Sequence, residues 1–192
     1  TRKESSAASD VYKRQVPAFS VYYAPSGLFS LEYDSVDELP QGAQINLPVD
    51  TANNGRALRL LADEGLIEVD ESVPVTGLSQ DDITDNPRDL EFLETDQQSG
   101  AQVLPDVDAG FAFVRLIPEG GLDVDDTMLA LEDGRDEVRT LFTCVVAVQP
   151  DQVDTEQVRA LQEAFQSPEV EAWFEEYPVS YTHLTLPTTP YV

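Results

Sequence analysis

Apolar positions along this chain change period several times, and the changes mark out alternating strands and helices. Residues 18–23 form a β-type run rich in aromatics, and residues 44–48 form another behind the turn Gln41-Gly42. From residue 52 to 64 the period becomes helical. Leu58, Leu61 and Ala62 fall on one face with Leu60 beside them, and Gly65 stands where a helix C-terminus is capped. Residues 67–69, 90–93, 109–114 and 128–131 predict further strands. Residues 140–148 are continuously apolar, apart from two threonines and Cys144, the pattern of a strand buried on both faces. Residues 155–166 are amphipathic, and Ser167-Pro168 opens a last helix through Tyr177, with proline at its tolerated first position. Two short helical turns are expected as well. One starts from a capping box, Ser35 to Glu38; the other covers residues 79–84, with Asp81 and Asp82 near its positive end. Alternating β and α over this length predicts an α/β fold with a mainly parallel sheet.

Both ends stand apart from this pattern. Residues 5–15 read SSAASDVYKRQ and residues 179–188 read VSYTHLTLPT. A single oligonucleotide, similar to a transposase-type sequencing adapter, encodes the first on one strand and the second on the other, one frame over. Residues 1–15 and 178–192 are therefore set aside as adapter-derived, disordered tails. The fold is expected within residues 16–177, as a piece of a longer protein.

Setting the tails aside changes the candidate chemistry. The only histidine, His183, goes with them, and histidine catalysis and ligation go with it. Four basic and two acidic residues are removed, leaving 7 basic residues, all arginine, against 35 acidic, for a net charge of −28. Such a chain repels phosphate backbones and anionic lipid surfaces, so no nucleic-acid partner is expected. The acids are scattered among apolar residues, which argues against a disordered acidic tail. Cys144 is alone, has no internal disulfide partner, and reads as a small buried hydrophobe in a strand. No apolar run is long enough to span a membrane. Adjacent acids such as Asp125-Asp126 read as charged surface, and no metal-ligand spacing or phosphate-binding glycine loop is present. No cofactor, metal or catalytic activity is expected.

The informative stretch is residues 47–61, LPVDTANNGRALRLL. A strand ends, a polar turn follows, and a helix begins near Ala52. Asn53, Gly55 and Arg56 lie in or beside its first turn, where free N–H groups and the positive helix end favour an anion. Gly55 admits a ligand or another stretch of chain. Arg56 is suited to holding a carboxylate through paired hydrogen bonds. An arginine at a helix start opposes the dipole preference, a conflict expected of functional sites. The alternative is a surface arginine paired with Asp50 or Asp63.

Four stretches in order carry a resemblance to the methionine-binding lipoproteins of ABC importers, the NlpA lipoprotein family. They are VYYAPSGLFS (residues 21–30), SVDELPQGAQINLP (35–48), DTANNGRALRLL (50–61) followed by EGLI (64–67), and VRALQEAFQSPEV (158–170). The resemblance implies a type II periplasmic-binding-protein-like fold, two α/β lobes closing on an amino acid. By that analogy residues 16–34 are the crossover strand of a partial first lobe, 35–131 a complete second lobe, and 132–177 the return to the first lobe. The family's N-x-G-R motif holds the ligand carboxylate, which carries over to Asn53 and Arg56, with Gly55 shaping the turn. Thr51 replaces the family's proline after Asp50. Where the family has an asparagine near the end of strand 109–114, this chain has Phe113 or Val114, so Phe113 joins the expected ligand-binding set. Arg115 beside it is either compensating or exposed. The implied role is capture of methionine or a related amino acid for an ABC permease and its ATPase. The implied place is the extracytoplasmic face of the membrane, held by a lipid anchor. The other reading is a family-related envelope adhesin or scaffold that binds no free amino acid.

Overall fold

The computed structural model of the chain describes residues 14–132 and 136–176. The expected tails lie outside them apart from Arg14 and Gln15, as does Tyr177. Elements follow in the order β1 (Val16–Tyr23), β2 (Ser26–Phe29), β3 (Gln44–Pro48), α1 (Thr51–Asp63), β4 (Glu68–Val69), β5 (Ile83–Asp85) and β6 (Glu91–Thr95). Then come α2 (Gly100–Val103), β7 (Ala109–Phe113), α3 (Leu116–Glu119), α4 (Val124–Thr127), β8 (Met128–Leu131), α5 (Asp136–Phe142), β9 (Thr143–Val148), α6 (Glu156–Phe165) and α7 (Pro168–Glu176). Contacts divide the chain into Pro25–Val138 and a unit made of the described parts of Thr1–Ala24 and Arg139–Val192.

Within Pro25–Val138 a five-stranded sheet runs in the order β6-β3-β7-β2-β8. β3 is parallel to β6 and to β7, whereas β2 is antiparallel to β7 and to β8. The sheet is therefore mixed where a mainly parallel one was expected. The difference comes from β2, which the periodicity does not reveal. It has four residues, all buried, so no alternation marks it. Its Gly27 also lets the Ala130 carbonyl of β8 come within 2.7 Å of where a Cβ would sit.

Side chains alternate across this sheet and make two cores. Leu28 and Phe111 point to one face, with Ile45, Leu47 and the α1 residues Leu58 and Leu61; their neighbours Phe29 and Ala112 point to the other, with Val114, Ile117 and Val124. Each buried leucine, isoleucine or phenylalanine contributes about 1.5–3 kcal/mol. α1 is capped at both ends. Asp50 caps its start by accepting from the Asn53 N–H at 3.0 Å. Its end is a Schellman turn: Gly65 takes φ +71°, its N–H donates to Ala62 O, and the Leu66 N–H donates to Leu61 O at 2.9 Å.

Two local expectations are corrected here. Ser35 makes no capping bond and opens only the 3₁₀ turn Val36–Glu38; Glu38 instead accepts from the Asp34 N–H, one residue earlier. The capping box forms at Ser79 with Asp82, on the 3₁₀ turn Gln80–Asp82, after which the chain becomes β5.

In the other unit β1 pairs antiparallel with β9, with two register shifts. Among its described residues Phe19, Val21 and Val158 are the buried hydrophobics, and the rings of Phe19 and Phe165 lie 6.0 Å apart, as do those of Tyr22 and Phe174. Residues 140–148 do not form one doubly buried strand. α5 absorbs the first three, and β9 is at most half-buried: Val146 and Val148 pack against Phe19, Val21 and Val158, while Cys144, earlier on that same face, and Ala147, on the other, are exposed. Cys144 is thus an exposed thiol, because the small core of this two-stranded ribbon takes in Val146 and Val148 of its face but not Cys144.

Candidate functional site

The turn from β3 into α1 builds a chain of polar contacts. Asp50 accepts from the Asn53 backbone N–H, and Asn53 Nδ2 donates to both Asp50 carboxylate oxygens at 3.1 and 3.2 Å. With its amide nitrogen so engaged, Asn53 presents Oδ1 to Arg56, one helical turn on, and accepts from Arg56 Nη1 at 3.2 Å. Arg56 Nε donates to Glu132 at 2.9 Å (Oε1) and 3.1 Å (Oε2), while Nη2 forms the ion pair with Glu132 Oε2. This is a fork-shaped guanidinium–carboxylate pair. It is also buried: the side chains are 3% and 9% exposed. Opening such a pair by removing one partner costs about 3–5 kcal/mol.

Glu132 is delivered by β8. Its backbone N–H continues the ladder by donating to Ser26 O at 2.9 Å. Phe113, the last residue of β7, holds its ring centroid 5.7 Å from the Arg56 guanidinium carbon and 5.6 Å from that of Arg115. Each cation–π contact contributes about 0.5–2 kcal/mol, more when water is excluded. Arg115 also reaches Glu119 at 3.2 Å and Gln98 at 3.1 Å.

The structure therefore brings three of the four expected site residues together, Asn53, Arg56 and Phe113. Arg56 is 2% exposed, which removes the reading of a surface arginine. Gly55 faces elsewhere: a Cβ there would lie 1.9 Å from the Val75 carbonyl oxygen, so the space it leaves is filled by chain. The anion at the start of α1 is the Asp50 carboxylate itself. Glu132 was not anticipated. The signal that bears on it is an acid directly after a strand, in a chain whose few arginines need partners, but 35 acids satisfy the second condition too loosely to choose one.

A separate cavity of about 360 Å³ lies beside α1, lined by Val49, Thr51, Asn54, Leu78, Ser79, Gln80, Asp81 and Glu94. Glu94 Oε1 there accepts from Asn54 at 3.0 Å and Gln80 at 2.7 Å.

The family model for NlpA lipoprotein matches residues 5–187. The chain belongs to the NlpA lipoprotein family. It is 28% identical to the methionine-binding lipoprotein MetQ of Bacillus subtilis strain 168, over 83% of this chain and 58% of that protein. To lipoprotein 28 of Escherichia coli K12 it is 29% identical, over 79% of this chain and 54% of that one. The chain thus spans little more than half the length of these relatives. A nutrient-binding protein from Burkholderia cenocepacia, solved bound to methionine, superposes with a TM-score of 0.75 at 30% identity, covering 88% of this chain and 71% of that one. The fold is α/β and of the type II periplasmic-binding-protein class, like that of the solved structures it superposes on. Among the described residues no helix is long and apolar enough to cross a membrane.

Proposed function

We propose that this chain belongs to the substrate-binding lipoprotein of an ABC importer, and that it recognises methionine or a related amino acid for delivery to a membrane permease. One observation supports the reading: Arg56 is a buried guanidinium at the start of α1, held by Asn53 and Glu132 beside the Phe113 ring. Asn53 adds polar contacts, Arg56 takes the ligand carboxylate, and Phe113 lends an apolar and aromatic surface to the side chain. The methionine-bound Burkholderia relative and the MetQ relative support the ligand class. The lipoprotein relatives support an anchored position on the extracytoplasmic face of the membrane. No bond is made or broken in such a mechanism; transport rests on different affinities of the receptor's states for ligand.

The test is titration calorimetry on the gene's full product with L-methionine, beside the variant Arg56→Ala. Binding by the wild type and its loss in the variant is the expected result. Equal affinity in both overturns the assignment of Arg56.

A further inference from the structure

We infer that the cavity beside α1 is a second binding site, and that it takes a small organic cation, an ammonium group on an alkyl body. The inference does not depend on the amino-acid reading, because Asn53, Arg56 and Phe113 are not among the residues that line this cavity. Three stretches of chain make it. The start of α1 supplies Thr51 and Asn54, the segment before β5 supplies Leu78 to Asp81, and β6 supplies Glu94 from the edge of the sheet. Its volume of about 360 Å³ falls within the range of small-molecule pockets. Leu78 and Asn54 are its buried wall, 0% and 6% exposed.

The chemistry of this wall is one-sided. Asn54 spends its amide nitrogen on Pro48 O at 2.9 Å and Glu94 Oε1 at 3.0 Å, and Gln80 Nε2 donates to that same Oε1 at 2.7 Å. Among the described residues nothing donates to Asn54 Oδ1, to Glu94 Oε2 or to the Asp81 carboxylate. Asp82, one residue on, is by contrast engaged by the Ser79 N–H and hydroxyl. No basic residue lines the cavity, and the positive end of α1 is already met by Asp50. The wall therefore holds a surplus of acceptors, one of them on a buried amide, where an unmade hydrogen bond is costly. An anion would be repelled, and a neutral polyol would bring acceptors of its own. An ammonium brings only donors, with the opposite charge. A metal ion fits less well: hard divalent cations take about six or more oxygens, and among the described residues no cluster of acids, histidines and cysteines could hold a metal. Val49 and Leu78 also give an apolar surface that only an organic body can use. The ammonium goes to Asn54 Oδ1 and Glu94 Oε2, the alkyl body lies along Leu78 and Val49, and Asp81 meets a second ammonium where the ligand has one.

The probe is butane-1,4-diamine, with butane-1,4-diol as its uncharged counterpart, titrated at constant ionic strength into the gene's full product and followed by amide chemical shifts. The diamine should shift the amides of Thr51, Asn54, Leu78 to Asp81 and Glu94 in a saturable way, and the diol should not. Saturating L-methionine should leave the diamine bound. The double variant Asp81→Asn with Glu94→Gln removes both charges but keeps an oxygen for Asn54 and Gln80. It should weaken the diamine by about 10-fold or more. Should that variant not fold, the shift map of the wild type and the diol comparison decide alone. Small shifts spread over the whole acidic surface would mean counterion attraction only and overturn the inference. So would a diol that binds as well as the diamine, displacement by L-methionine, or an unchanged affinity in a folded double variant.

Discussion

Gly55 in α1 lies against the backbone of Val75 so closely that a Cβ on it would sit 1.9 Å from the Val75 carbonyl oxygen and 3.2 Å from that of Leu78. The obstacle is main chain, which cannot rotate aside. Gly55→Ala should therefore destabilise the protein by about 1–3 kcal/mol or more, although alanine is the better helix former. Urea unfolding would show it as a lower midpoint; a raised midpoint would mean that the Val75–Gly77 turn yields.

Asp50 caps α1 and orients Asn53 at once. Asp50→Ala should cost about 0.5–2 kcal/mol, and Asp50→Asn, which can still accept from the helix N–H, much less. Thermal unfolding of the two variants against wild type checks the order.

The Arg56–Glu132 pair should behave asymmetrically. Truncating either partner alone takes one charge out of a buried pair and should cost about 3–5 kcal/mol. Replacing both, as Arg56→Met with Glu132→Met, should recover most of that loss, because packing replaces desolvated charge. A double variant as unstable as the sum of the single ones would show that the pair's surroundings, and not its charges, set the stability. Ligand binding should be lost wherever Arg56 is replaced.

Tyr33 titrates above the ordinary tyrosine value, chiefly through burial and then through the charge of Asp108, whose Oδ1 accepts from its hydroxyl at 3.3 Å. A pKa raised in the folded state gives stability that is fully present below the unfolded value, about 10, and is lost as pH rises through the folded one. Wild type should lose thermal stability across that alkaline window more steeply than Tyr33→Phe. Parallel melting curves for the two would contradict it.

Cys144 is the exposed cysteine of β9. It should react with a thiol reagent in the native protein nearly as fast as after denaturation, and Cys144→Ser should change stability by no more than about 0.5 kcal/mol.

Local signals with a fixed geometry were legible in the sequence. The period of Leu58 and Leu61, the acid at Asp50 and the glycine at Gly65 place α1 to within a residue at each end. β3 and β8 fall where the apolar runs put them. The resemblance through DTANNGRALRLL led to Asn53 and Arg56, which the structure joins by a hydrogen bond. What failed needs tertiary information. β2 is too short and too uniformly buried to show a period. The exposure of Cys144 depends on how far along β9 the small core reaches, and a partner of Arg56 lies 76 residues away along the chain. Ser35 and Ser79 show the limit even of local rules: both precede an acid three residues on, but only Ser79 closes the box.

The burial of Arg56 and Arg59 has a use in proteolysis. Between Arg14 and Arg88 trypsin finds no other basic residue, and these two are 2% and 5% exposed within α1. A cut in that long stretch therefore reports the opening of the helix itself, and its rate gives the local unfolding free energy of α1. Anything that engages Arg56 in the folded state should lengthen the lifetime of that bond, so an ordinary protease becomes a ligand detector that needs no label.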